Sequence, residues 1–157
     1  MPRNSVLGGK TMLQLDDTEF SPVECSSLFW RWNSAGHVEF SKKQLDEIRT
    51  VSLQASQRIH DQLLQLNLQS TSSAAVSELG NEGIAEWLKK TLSAHAEVLL
   101  SWDKSTSIVV TTSLFSQHWD DFCYSSSDDI FIAPLSLDWV MEYHHYDVFS
   151  LTTALGG

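Results

Sequence analysis

Cysteine is scarce in this sequence. Only Cys25 and Cys123 occur, too far apart for a thiol-redox or zinc-knuckle spacing, and one bridge at most is no disulfide framework. Both are expected as free thiols, with Cys123 packed among aromatics; a nucleophilic role would need a His brought in by the fold, such as His118 or His144. Long apolar runs are missing too, since none approaches the ~20 residues of a membrane span. Met1-Pro2-Arg3-Asn4-Ser5 does not open a basic segment followed by an apolar one, so a cytosolic protein without membrane contact is expected. No Gly-rich phosphate loop, nucleophile elbow or His-Glu-x-x-His is present, which argues against an enzyme.

The deficit with most consequence is of positive charge. Ten Lys and Arg face twenty Asp and Glu, for a net charge of −10. No Lys or Arg follows Lys104, whereas Asp120, Asp121, Asp128, Asp129, Asp138, Glu142 and Asp147 all do. On this reading the acids of the last third stand unopposed. Such a balance disfavours contact with nucleic-acid phosphates or anionic lipid and favours a basic partner, whose approach a field of one sign would steer. The plainer alternative is an acidic surface kept for solubility.

What is present fits one domain, because 157 residues at 42% hydrophobic can bury one core with little left over. Residues 1–9 read as a loose lead-in. Thr11-Met12-Leu13-Gln14-Leu15 alternates like a short strand, 19–27 is a loop, and Leu28-Phe29-Trp30-Arg31-Trp32 has strand character, with Trp30 and Trp32 facing the core together. Asn33-Ser34-Ala35-Gly36 turns the chain into His37-Val38-Glu39-Phe40, completing a hairpin. Ser41-Lys42-Lys43-Gln44 has the form of a capping box. From there Leu45, Ile48, Val51, Ala55, Ile59, Leu63 and Leu66 form one stripe over about seven helical turns. Residues 69–73 are polar and read as a flexible connector. A second helix is expected from Asn81 or Glu82 to Ser101, with His95 on its buried face. Then come a strand at 107–112, a short helix at 113–122, a strand at 129–133, and a hairpin of 138–143 with 147–151. The expected architecture is α+β, an antiparallel sheet with two long amphipathic helices packed on one face.

Chemistry-bearing side chains concentrate in the last third, around His118-Trp119-Asp120-Asp121-Phe122-Cys123-Tyr124. His118, Asp120, Asp121, His144, His145 and Asp147 are residue types that hold Zn²⁺ or Mn²⁺. A small metal-dependent hydrolase using His118, Asp120 and His144 or His145 is therefore the alternative reading. Their spacing matches no strong motif, and adjacent His144 and His145 on a strand would face opposite sides. Gly156-Gly157 lacks the preceding Arg of a ubiquitin-type tail.

The string Phe115, His118-Trp119-Asp120-Asp121-Phe122-Cys123-Tyr124, Ser127-Asp128-Asp129, Ile130, Trp139, Tyr143-His144-His145, Asp147 and Phe149 resembles the C-terminal pattern of small bacterial proteins of the toxin-immunity type. It covers residues 114–151, and departs from the pattern where Tyr146 intervenes between His145 and Asp147. The resemblance implies a non-enzymatic protein that binds and neutralises a cognate toxin, such as a nuclease with a basic surface, and needs no cofactor. Trp119, Asp120, Asp121, Tyr124, Asp128, Asp129, Glu142, Tyr146 and Asp147 are the expected contact residues: acids to pair with Lys and Arg, and Trp119, Tyr124 and Tyr146 as anchors. A structural or phage-encoded adaptor would share this acidic character.

Overall fold

Short strands and short helices alternate along the chain. In the computed structural model, which describes residues 12–153, strands run over Phe20–Pro22 (β1), Ile48–Val51 (β2), Ser72–Ala75 (β3), Glu97–Asp103 (β4), Thr106–Thr111 (β5), Ile130–Ala133 (β6), Trp139–His144 (β7) and Val148–Thr153 (β8). They form one sheet of eight strands in the order β1-β2-β5-β4-β6-β7-β8-β3, and each neighbouring pair is antiparallel. Helices span Lys42–Leu45 (α1), Leu53–Leu64 (α2), Val76–Thr91 (α3), Thr112–Gln117 (α4) and Trp119–Phe122 (α5). The α+β class and the antiparallel sheet are thus as expected. Residues 1–9, Thr11 and Gly156-Gly157 lie outside the described residues. Among the described residues no helix is long and apolar enough to cross a membrane.

The sheet carries apolar side chains on both faces. Along β4, Val98 and Leu100 join one core and Leu99 the other; along β5, Ile108 and Val110 oppose Val109 in the same way, the alternation that a strand imposes. On the first face Ile84 and Leu88 of α3 pack with Leu114 and Phe115 of α4 and with Trp119 and Phe122 of α5. The second face is covered by Ala55, Ile59 and Leu63 of α2. The two longest helices therefore lie on opposite faces, which corrects the expectation of one shared face. The physical reason is that a central strand apolar on both sides must be covered twice. α2 leaves part of its face open: Phe131, Glu142, His144 and Ser150, on β6 to β8, stay half-exposed.

The long helix expected from Ser41 is instead α1, β2 and α2. The capping box at Ser41 is real, with Gln44 N–H donating to Ser41 Oγ and Ser41 N–H to the Gln44 side chain, but it starts a single turn. Ile48, Thr50 and Val51 are β-branched; Ile48 and Thr50 pair with β5 and Val51 with Phe20 of β1. Ser52 then caps α2 by accepting from Ala55 N–H. Leu45 and Ile48 belong to the first core while Val51, Ala55, Ile59 and Leu63 belong to the second, so the apparent single stripe is two.

The second expected helix is also shorter. α3 begins upstream at Val76 and is interrupted at Gly80, whose φ of 72° breaks the helical path. This is a backbone state that glycine adopts without steric cost. The regular part starts at Asn81 but ends at Thr91, and 97–101 is strand. Val98, Leu99 and Leu100 are all fully buried, so no period-two signal marks the strand. The polar connector at 69–73 contributes Ser72 and Ser73 to edge strand β3. The short helix expected at 113–122 is split at His118 into α4 and α5. The strand at Thr106–Thr111, β6, and the hairpin of β7 with β8 agree with expectation.

Met12 to Asp16 carry no strand. Phe29–Arg31 is a 3-10 turn, and only an isolated bridge between Asn33 and Glu39 remains of the expected hairpin. In such a turn, with about three residues per turn, positions two apart point to different sides. Trp32 is fully buried, whereas Trp30 is 45% exposed, so the pair does not enter the core together.

Candidate functional site

The C-terminal carboxylates and rings gather at one end of the sheet, where β4 ends, β6 begins and β7 turns into β8. The β7–β8 connection is the three-residue loop His145-Tyr146-Asp147, closed by Asp147 N–H donating to His144 O at 2.9 Å. Asp147 sits at φ 64°, a left-handed position that Asp tolerates better than most residues. Its carboxylate accepts from the Tyr143 hydroxyl. Burial first, and then this bond to Asp147, push the Tyr143 hydroxyl far above its ordinary range. A second turn, around Ser126 at φ 73°, is stapled to the first by Ser126 N–H donating to His145 O at 2.7 Å.

Beneath these turns Arg31 meets Asp128. The guanidinium reaches Asp128 Oδ2 at 2.6 Å and Oδ1 at 3.1 Å, and Phe122 O at 3.2 Å. The two side chains are 7% and 6% exposed. The Tyr124 ring lies 4.0 Å from the guanidinium carbon, and Tyr124 N–H donates to Asp128 Oδ2 at 2.9 Å. Asp128 is therefore a structural partner of Arg31 and unavailable as a surface contact. The acids of the last third are not all unopposed: a base from far upstream folds onto one of them.

Trp119 is likewise removed from the surface. It is 3% exposed, its indole N–H donates to Asn81 O at 3.1 Å, and its ring packs 5.7 Å from Phe149. Its side chain forms the floor of a groove rather than a protruding anchor. That groove has a volume of about 450 Å³ and is lined by Val76, Asn81, Trp119, Asp120, Cys123, Tyr124, Ser125, Ser127 and Asp147. Asp120 accepts from Asn81 Nδ2 at 3.2 Å. Burial holds the Cys123 thiol well above its ordinary range, leaving a packed thiol with little thiolate character. Asp121 lies beside the groove, 3.4 Å from His118 Nδ1; burial first and then the Asp120 charge raise its carboxyl above the usual range.

Tyr124, which lines the groove, also belongs to an aromatic cluster that the sequence does not announce. Exposed Trp30 lies 4.8 Å from His37 and 6.1 Å from Tyr124 in edge-to-face contacts. His37 and Tyr124 stack at 6.1 Å. Phe-Trp-Arg-Trp reads as a core strand, so its spacing gives no signal for Trp30 or His37 at a surface site.

The remaining expected contacts lie across the β7–β8 turn. Asp129 accepts from both the backbone N–H and Nδ1 of His145 at 3.0 Å, and these bonds hold its carboxyl below the usual range. Asp129 and Glu142 line a separate pocket of about 190 Å³. Tyr146 is 63% exposed and stacks on His144 with ring centres 5.3 Å apart. Of the nine expected contact residues, then, Trp119, Asp120, Tyr124 and Asp147 meet in the groove and Asp129 and Glu142 in the pocket. Asp121 and Tyr146 flank them, and Asp128 is held inside.

The His and Asp residues do not converge on a point. His145 turns to Asp129 and His144 to Ser150 Oγ at 3.0 Å, while His118 faces Asp121. Among the described residues no three His, Cys, Asp or Glu are grouped so as to hold a metal ion. No family model, no curated protein and no solved structure matches the chain.

Proposed function

We propose that the chain is a cytosolic, non-enzymatic inhibitor of the toxin-immunity type, which binds a basic protein through the groove at the open end of its sheet. The observation that carries this reading is the groove's charge. Asp120 and Asp147 line it, among the described residues no Lys or Arg does, and Arg31, the guanidinium beneath it, is committed to Asp128. Beside these carboxylates Tyr124, with Trp30 and His37, supplies an aromatic cluster, the kind of surface that anchors protein interfaces. Carboxylates there chiefly set association rate and specificity, while the rings supply affinity.

Affinity capture of the tagged protein from host lysate, at low and at high salt, tests this. A single basic partner that is retained at low salt and lost at high salt is expected, and the D120N/D147N protein should retain less of it. Asn suits the left-handed position of Asp147, so the second change leaves the turn intact. Retention unaltered in D120N/D147N at low salt would overturn the acidic-groove reading.

A further inference from the structure

The open part of the second sheet face holds the pocket formed by His60, Trp102, Asp129, Phe131, Glu142 and His144, together with the backbone edge at Ile130 and Tyr143. We propose that this pocket receives an arginine side chain of the partner protein. The inference rests on the reading that the chain binds a basic protein and adds the chemical group that is recognised.

Its walls are rings and its charges are negative. The imidazoles are fixed in place, His60 Nδ1 by Ser101 Oγ at 3.0 Å and His144 Nε2 by Ser150 Oγ at 3.0 Å. His60 also meets Phe131 edge to face at 5.8 Å, and Tyr146, stacked on His144, extends the aromatic surface outward. Asp129 is pinned by His145. Glu142 is half-buried, and no hydrogen bond or ion pair to its carboxylate is formed by another described side chain. Among the described residues no Lys or Arg lines the pocket, so a cation entering it meets the carboxylates of Asp129 and Glu142 with no described Lys or Arg beside them.

Size and shape choose among cations. A volume of about 190 Å³ falls short of the roughly 300–1,000 Å³ of sites that enclose a drug-sized molecule. It suits the end of one side chain. A guanidinium is flat, weakly hydrated and stacks on rings, and its fork pairs with a carboxylate; an ammonium is a compact, strongly hydrated point charge. The molecule already contains one example of the arrangement. Arg31 lies against Tyr124, Trp30 and Trp102 at 4.0, 5.5 and 5.8 Å while paired with Asp128. Trp102 borders the pocket as well, while its side chain packs with the first core. The pocket and the groove flank the same pair of turns, which Ser126 N–H joins by donating to His145 O.

The test is a titration of the isotopically labelled full chain, followed by NMR, with N-acetyl-arginine N-methylamide and with the matching capped citrulline and capped lysine. The arginine probe should shift the amides of Phe131, Glu142 and His144. Citrulline, neutral and of the same shape, should not, and lysine should shift them less at equal concentration. E142Q should weaken the arginine response by about fivefold or more, as loss of a charge-assisted fork implies; H144A, which removes a wall, should weaken it as well. Equal shifts from arginine and citrulline, arginine shifts confined to the Asp120–Asp147 groove, or an unaltered response in E142Q would each overturn the proposal. The two readings separate in the capture experiment. If E142Q retains the basic partner at wild-type strength while D120N/D147N does not, the pocket is not the contact and the groove reading stands. If the arginine probe fills the pocket but no basic partner is retained, the guanidinium chemistry is supported and the groove reading falls.

Discussion

Asp128 and Asp129 are neighbours in the chain, and Trp30 and Trp32 are nearly so, yet in each pair one member lies inside the loop cluster and the other on its rim. Asp128 grips Arg31 beneath the turns, while Asp129 is held by His145 at the surface. Trp32 is fully buried and donates its indole N–H to Asp121 O at 2.9 Å, while Trp30 stands out beside His37 and Tyr124. The inner members fix the shape of the groove, and the outer ones are free to meet a partner. Residue type does not separate the two roles; the backbone at Phe29–Arg31 and at the turn around Ser126 does.

The sharpest way to break this comparison is to replace the inner members. D128N leaves the Arg31 guanidinium buried without its counter-charge, which costs about 3–5 kcal/mol, and it weakens the clamp on Tyr124 N–H. W32A removes a fully buried ring and should cost about 3–5 kcal/mol as well. Both would show as lower midpoints in urea unfolding. W30A, in contrast, should stay within about 0.5 kcal/mol of wild type while lowering retention of the partner in the capture experiment. A stability loss for W30A as large as that for W32A would mean that the rim is structural too.

The same contrast explains what could be read from the sequence. The β7–β8 hairpin, β5 and β6 were legible because polar turns bound short β-rich runs. β4 was not, since Val98, Leu99 and Leu100 are covered on both faces and lack the alternation that marks a half-buried strand. In the stretch from Ser41 to Leu66, residues bound for opposite faces of the sheet happen to fall at helical spacing. At the site, Asp120, Tyr124 and Asp147 could be found from residue type alone. Arg31 could not be paired with Asp128 from sequence, because the two are 97 positions apart, and that one pairing removes an acid from the surface and an exposed base from the map.

The smallest expected effects concern pH, and they have opposite signs at Asp129 and Asp121. The folded carboxyl of Asp129 is depressed by its bonds to His145. Its contribution to stability is therefore present above its unfolded pKa of about 3.9 and is lost as pH falls through the lower folded value. Asp121, raised by burial and by Asp120, behaves the other way: its favourable contribution is complete below about pH 3.9 and is lost as pH rises through the folded value. D129N should thus lower stability near neutral pH, and D121N should raise it slightly, with both differences shrinking as the medium becomes acid. Urea midpoints of the two variants and wild type, measured between neutrality and pH 3, check both signs. If D121N were destabilising at neutral pH, the half-buried Asp121 carboxylate would be held by His118 more strongly than burial opposes it, and Asp121 would belong with Asp128 among the inner members.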